Sequence, residues 1–136
     1  MEKIYIPATK YTPEINLDPK KGLLEFRGKS YPENTFEFYA PIIEWVKKYF
    51  ENPNKETTVN MEIVYFNSST SKLFFNLLDI LHDNMDKTKI TVNWIYDKDN
   101  ENAKEAGEDF IDDFPDMDIR LVEKDEGEND VQCSRA

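Results

Sequence analysis

The densest chemistry in the chain is the run Asn67-Ser68-Ser69-Thr70-Ser71-Lys72. Ser68, Ser69 and Thr70 offer hydroxyl oxygens in one short stretch, and Lys72 adds a cation. The run lies between a strand-like apolar segment and a helix-like amphipathic one. A helix N-terminus carries unpaired N–H groups and a partial positive charge, so it can hold a phosphate. A phosphoryl group there adds roughly −1.5 to −2 charges and about 1 to 3 charge-assisted hydrogen bonds, and it disrupts any apolar partner docked over it. The residues admit two readings: a phosphorylation switch, or plain helix capping by a hydroxyl.

The other candidates are sparser. Asp97-Lys98-Asp99 follows a strand-like segment, where a small metal-dependent phosphotransferase would keep a nucleophilic aspartate and a magnesium ligand. With Glu101 and Glu108 it also begins a calcium-loop pattern. That pattern fails at Asn102, which stands where the loop needs glycine, and no helix precedes it. A solvated turn is the simpler reading. His82 and Cys133 are the single histidine and the single cysteine. They leave no disulfide framework, no conventional zinc site and no Ser-His or Cys-His nucleophile pair. His82 falls one step off the Leu78, Leu81 stripe and reads as a partly exposed surface residue. We therefore expect no catalytic residues, no bound metal and no cofactor, and a protein that works by binding partners.

Bulk composition points the same way. The 136 residues fit one domain, and 39% apolar content supplies a single core. A formal net charge of −11 repels phosphate backbones and anionic lipid, which argues against nucleic-acid and membrane partners. No apolar run reaches membrane-spanning length, and the N-terminus lacks a signal peptide's apolar stretch, so a cytoplasmic location is expected.

Strands are expected near residues 4–6, 15–17 and 23–26, broken by Pro13, Pro19 and the glycines Gly22 and Gly28, as a small antiparallel meander. Asn34 then caps a helix, with Glu37 as its capping-box partner. Residues 59–66 alternate as a strand whose end, Val64-Tyr65-Phe66, is apolar on both sides, as in a buried central strand. Phe74, Leu77, Leu78, Leu81 and Met85 form the stripe of a second helix. A strand at 90–96, a polar helix at 101–114 and a short strand at 119–122 complete the order β-β-β-α-β-α-β-α-β. Helices alternating with strands imply right-handed crossovers: an α/β fold with a mixed, mostly parallel central sheet and helices packed on it. The domain is expected over residues 1–122, and the charged segment 123–136 is expected to be disordered.

The first helix carries two apolar stripes. Phe36, Tyr39, Ile43, Val46 and Phe50 read as its core side, while Phe38, Ile42, Trp45 and Tyr49 fall on an adjacent face. Pro41 implies a kink, or a start near it. The second stripe fits a helix wedged between the sheet and a neighbour, or an aromatic face for a partner or a homodimer.

Four segments together resemble the SiaC family of bacterial biofilm-signalling phosphoproteins. They are Thr12-Pro13-Glu14-Ile15, Ser30-Tyr31-Pro32-Glu33-Asn34, Tyr65-Phe66-Asn67-Ser68-Ser69, and Trp94-Ile95-Tyr96-Asp97 with Asn100-Glu101. They cover most of residues 1–102 in the expected order. The resemblance implies a fold similar to the anti-sigma-factor antagonists, the STAS type. It implies a partner-switching cycle in which a kinase phosphorylates a hydroxyl in the strand-to-helix loop and a phosphatase removes the group. The unphosphorylated form would bind and activate a diguanylate cyclase in c-di-GMP signalling and biofilm control. The family acceptor is a threonine directly after the loop asparagine. Here that place is Ser68, with Ser69 and Thr70 as rivals. Asn67, Ser69 and Lys72 would position or neutralise the phosphate, and Tyr31, Glu33 and Asn34 would wall the site. A constitutive scaffold binding through Phe38, Trp45 and Tyr49, without a switch, is the alternative.

Overall fold

A computed structural model describes residues 1–124. The chain opens as three strands, β1 (Ile4–Ile6), β2 (Glu14–Asp18) and β3 (Leu23–Ser30), paired antiparallel. The β2–β3 turn is tight because Asp18 Oδ1 accepts the Lys20 and Lys21 N–H groups and Gly22 takes a left-handed φ of 62°. From β3 onward, strands and helices alternate: α1 (Thr35–Tyr49), β4 (Glu56–Phe66), α2 (Ser68–Asp83), β5 (Lys89–Asp97), α3 (Glu101–Asp113) and β6 (Asp118–Lys124). Strands β3 to β6 are parallel neighbours in sequence order within one six-stranded sheet. Each parallel strand is added on the same side of the last, and with crossovers of the usual right hand all three helices cover one face, where their apolar residues share one core.

The register makes the division of faces explicit. On the covered face Leu17, Leu24, Val59, Val92 and Ile119 line up across the sheet, beside Ile15, Phe26, Met61, Trp94 and Leu121. One residue over, on the uncovered face, runs the polar row Asn16, Glu25, Asn60, Asn93 and Arg120. Asn60 Nδ2 donates to Glu25 Oε2 at 3.0 Å and Asn93 Nδ2 to Asn60 Oδ1 at 2.8 Å, so this row is cross-linked rather than merely solvated. Alternation of period two therefore assigned each strand its core side, as expected for a sheet covered on one face.

α1 departs from the expected facing. Tyr39, Ile42, Trp45, Val46 and Tyr49 are buried together, whereas Phe36 is 78% exposed and Phe38 and Ile43 are half-buried. Trp45 and Tyr49 are thus core residues, not a partner or dimer face: their rings stack at 5.6 Å, Trp45 Nε1 donates to the Glu2 carbonyl, and Tyr49 shares a hydrogen bond with Thr57. The segment ahead of β1 closes over Trp45, and α2 packs beside α1 on the same sheet. It runs unbroken through Pro41, whose ring lies exposed.

Two boundaries also move. β4 is central, but its end is not buried. A register shift at Gly28, whose φ is 126°, makes Val64 an extra residue, and Val64 and Tyr65 both emerge exposed. Only Phe66 turns inward, onto Phe74 and Trp94. β6 continues past Val122: Glu123 pairs with Tyr96 and Lys124 with Asp97, and Lys124 forms an ion pair with Glu62. Glu123 and Lys124 are therefore strand residues, and the rest of the segment expected to be disordered lies outside the described residues. Among the described residues no helix is long and apolar enough to cross a membrane.

Candidate functional site

The site is built where β4 hands over to α2. A single residue, Asn67, joins them, so the hydroxyl run forms the first turn of α2 rather than a loop. Asn67 is the cap: its side chain accepts the Thr70 N–H at 2.9 Å, and its own N–H donates to the Ser30 carbonyl. The cap tethers the start of α2 to the end of β3. The hydroxyls then part in role. Ser68 and Ser69 are exposed, but Thr70 is fully buried. Its Oγ1 donates to the Ser30 carbonyl at 3.1 Å and lies 3.0 Å from Ser30 Oγ, which in turn shares a 2.7 Å hydrogen bond with Tyr39. Thr70 is a structural hydroxyl out of a kinase's reach, which removes it as a rival acceptor. Burial pushes the Tyr39 phenol up to about 12, partly offset by its bond from Ser30.

The electrostatics of the three helix starts differ. α1 has Glu37 in its first turn and α3 has Glu101, each beside an asparagine cap. The first turn of α2 has no acidic residue, and Lys72 follows it. Its partial positive charge is therefore unopposed by a carboxylate in its own first turn.

The starts of α1 and α2 face each other across a cleft of about 450 Å³. Pro32, Glu33, Asn34 and Phe36 line one side, and Asn67, Ser69, Lys72 and Asn76 the other. Asn67, Ser69, Lys72, Glu33 and Asn34 thus line one cleft. Ser68 sits on the same helical turn, outside this lining. An apolar groove continues from the cleft between α1 and α2, sharing Phe36, Leu73 and Asn76 with it. Tyr31 and Phe38 line a second cleft with Tyr11, on the far side of Pro32 and Glu33. Phe36, Tyr11, Tyr65 and Asn76 were not expected at the site. Phe36 shares the spacing of the core stripe, and Tyr65 emerges only because of the bulge; a glycine at position 28 is the one sequence sign of it.

Asp97 and Asp99 do not face a site of this kind. Asp97 Oδ1 accepts the Asp99 N–H at 2.9 Å, a turn that leads into the Asn100 cap of α3. Among the described residues no group of three or more His, Cys, Asp and Glu side chains is placed to hold a metal ion. His82, half-buried at the end of α2, lies 2.9 Å from Asp116 Oδ2 and holds that carboxyl below its ordinary range.

With this geometry in view, the relatives are informative. The family model described as SiaC family regulatory phosphoprotein matches residues 6–124. An uncharacterized protein of Pseudomonas aeruginosa strain UCBPP-PA14 is 32% identical over 118 residues, covering 85% of this chain and 94% of that protein. A chain in the crystal structure of the diguanylate cyclase SiaD in complex with its activator SiaC, from Pseudomonas aeruginosa, superposes with a TM-score of 0.83 at 29% identity, covering 89% of this chain and 99% of that one. Apo-SiaC from the same organism gives 0.80 at 27% identity, with 90% and 99% covered.

Proposed function

The chain belongs to the SiaC family of regulatory phosphoproteins, and from that premise we propose that it is a switch whose unphosphorylated form binds and activates a diguanylate cyclase. Ser68 is the acceptor. A cytoplasmic kinase adds the phosphoryl group, a phosphatase removes it, and no cofactor belongs to this chain. The regulatory domain runs to Lys124.

The observation that carries this reading is the start of α2. It presents an exposed hydroxyl, a cap made by a neutral asparagine and no carboxylate in its first turn. A phosphate on Ser68 would gain the helix's unpaired N–H groups and the Lys72 cation. The same group would set roughly −1.5 to −2 charges on the helical turn that borders the cleft lined by Asn67, Ser69 and the exposed Phe36, where a partner would dock. Desolvating that charge under an apolar contact is costly, so phosphorylation and docking exclude one another. Glu33 and Asn34 on the opposite wall lie under the same partner.

The test is site mapping. Protein treated with its kinase and ATP is digested and its phosphopeptides are sequenced by mass spectrometry. Phosphate on Ser68, absent in Ser68→Ala, is the expected result. Phosphate found only outside residues 68–71 would overturn the assignment.

A further inference from the structure

We propose that the cleft walled by Tyr11, Tyr31 and Phe38, with Glu33 at its side, receives an arginine side chain of the protein partner. The proposal rests on the reading that a protein docks beside Ser68, and it names the chemistry of one anchor in that contact.

The cleft measures about 700 Å³, ample for a guanidinium and its alkyl stem. Tyr11 and Tyr31 stand edge to face, with centroids 5.3 Å apart and planes at 86°, so they form two walls meeting at a right angle. Aromatic faces attract cations, and arginine most often fills such places because its flat group can stack on a ring while its N–H donors reach sideways. Glu33 also lines this cleft and can supply a carboxylate acceptor from the ridge between it and the neighbouring one. Lys10 Nζ lies 5.9 Å from the Tyr11 centroid, at the edge of cation–π range, so an incoming arginine displaces the chain's own lysine from this ring.

The walls are held in place before any ligand arrives. The Tyr31 N–H donates to the Tyr11 carbonyl at 2.8 Å, and Thr9 Oγ1 accepts the N–H groups of Tyr11 and Thr12. Tyr65 also packs against Tyr31, with centroids 5.4 Å apart and planes at 77°. Such preorganisation lowers the cost of binding. Yet Tyr11 remains 51% exposed, an aromatic with no partner covering half of it. Charge complementarity selects the occupant: a chain of net charge −11 calls for a basic segment, and a carboxylate at the edge disfavours a purely apolar one. The location ties the anchor to the switch, because Pro32 and Glu33 line both this cleft and the one beside α2. A partner whose arginine fills the aromatic corner lies across that ridge and against the first turn of α2.

The test uses the full chain and N-acetyl-arginine-N-methylamide as probe, followed by NMR on the tyrosine and phenylalanine ring resonances. The neutral citrulline analogue is the control. The expected result is saturable, millimolar binding that shifts Tyr11, Tyr31 and Phe38, is lost in Tyr11→Ala and weakens about threefold or more in Glu33→Gln. No saturable shift, equal shifts with citrulline, or shifts confined to other residues would overturn the proposal. Ring shifts that appear on raising the protein concentration without probe would assign the cleft to a second copy and overturn it as well. Failure here with an intact cyclase interaction would remove the anchor alone; failure of the cyclase interaction with arginine binding intact would remove the switch reading instead.

Discussion

Two hydroxyls in the first turn of α2 stand in opposite environments, and burial sets the difference. Ser68 is exposed, while Thr70 is buried and bonded to Ser30, itself bonded to Tyr39. The run of hydroxyls was legible in the sequence; their division was not, because it depends on Ser30 arriving from β3. Tyr39→Phe removes one bond of this chain and leaves Ser30 one partner short, at about 1 kcal/mol. A fall in melting temperature of about 3 to 5 °C is the expected result. The pH dependence has a definite sign. Tyr39 ionises near 10 when unfolded and is pushed up to about 12 when folded. Its contribution is fully present below pH 10 and is lost as pH rises through 12. The stability gap between wild type and Tyr39→Phe, measured by urea unfolding, should therefore narrow above pH 10. A gap that widened there would contradict the assignment.

At the scale of elements, the sequence carried the order of strands and helices but not every facing. The second helix showed a single stripe, Phe74, Leu77, Leu78, Leu81 and Met85; the first four are buried, while Met85 lies past the end of α2 at Asp83 and is half-buried. The first helix showed two stripes, and spacing alone could not choose between Phe36 and Ile42, since both lie a short step from Tyr39. The sheet and the N-terminal arm chose, burying Trp45 and Tyr49 and leaving Phe36 outside. The third helix, with few large apolar residues, instead approaches the sheet closely. A methyl group at Gly107 would stand 2.5 Å from Leu121 Cδ2 and 2.6 Å from Trp94 Cδ1. Gly107→Ala therefore overpacks this contact despite its better helix propensity, and we expect a loss of about 1 to 3 kcal/mol in chemical denaturation. A gain of stability would show that α3 can retreat freely. The same contact fixes Trp94, whose Nε1 donates to the Ala103 carbonyl at 2.7 Å.

Across the whole molecule, one sheet face is covered by helices and the other is a cross-linked polar surface. The proposed switch sits at the carboxyl ends of the strands, where loops and helix starts meet. The expected boundary at Val122 fell short because Glu123 and Lys124 are charged and read as solvent-loving, yet on an edge strand such residues pair through their backbones. A chain ending at Val122 loses that pairing, the Lys98 N–H bond to the Lys124 carbonyl and the ion pair with Glu62. It should be less stable than one ending at Lys124 by roughly 1 to 2 kcal/mol, read by thermal melting. Equal melting would mean that β6 effectively ends earlier. The central claim is that charge at one exposed hydroxyl controls a protein partner. It is tested most directly by measuring the affinity of a SiaD-type diguanylate cyclase for wild type, Ser68→Ala and Ser68→Asp by calorimetry. Binding by the first two, with a loss of at least tenfold in Ser68→Asp, is the predicted result; equal affinity for all three would contradict it.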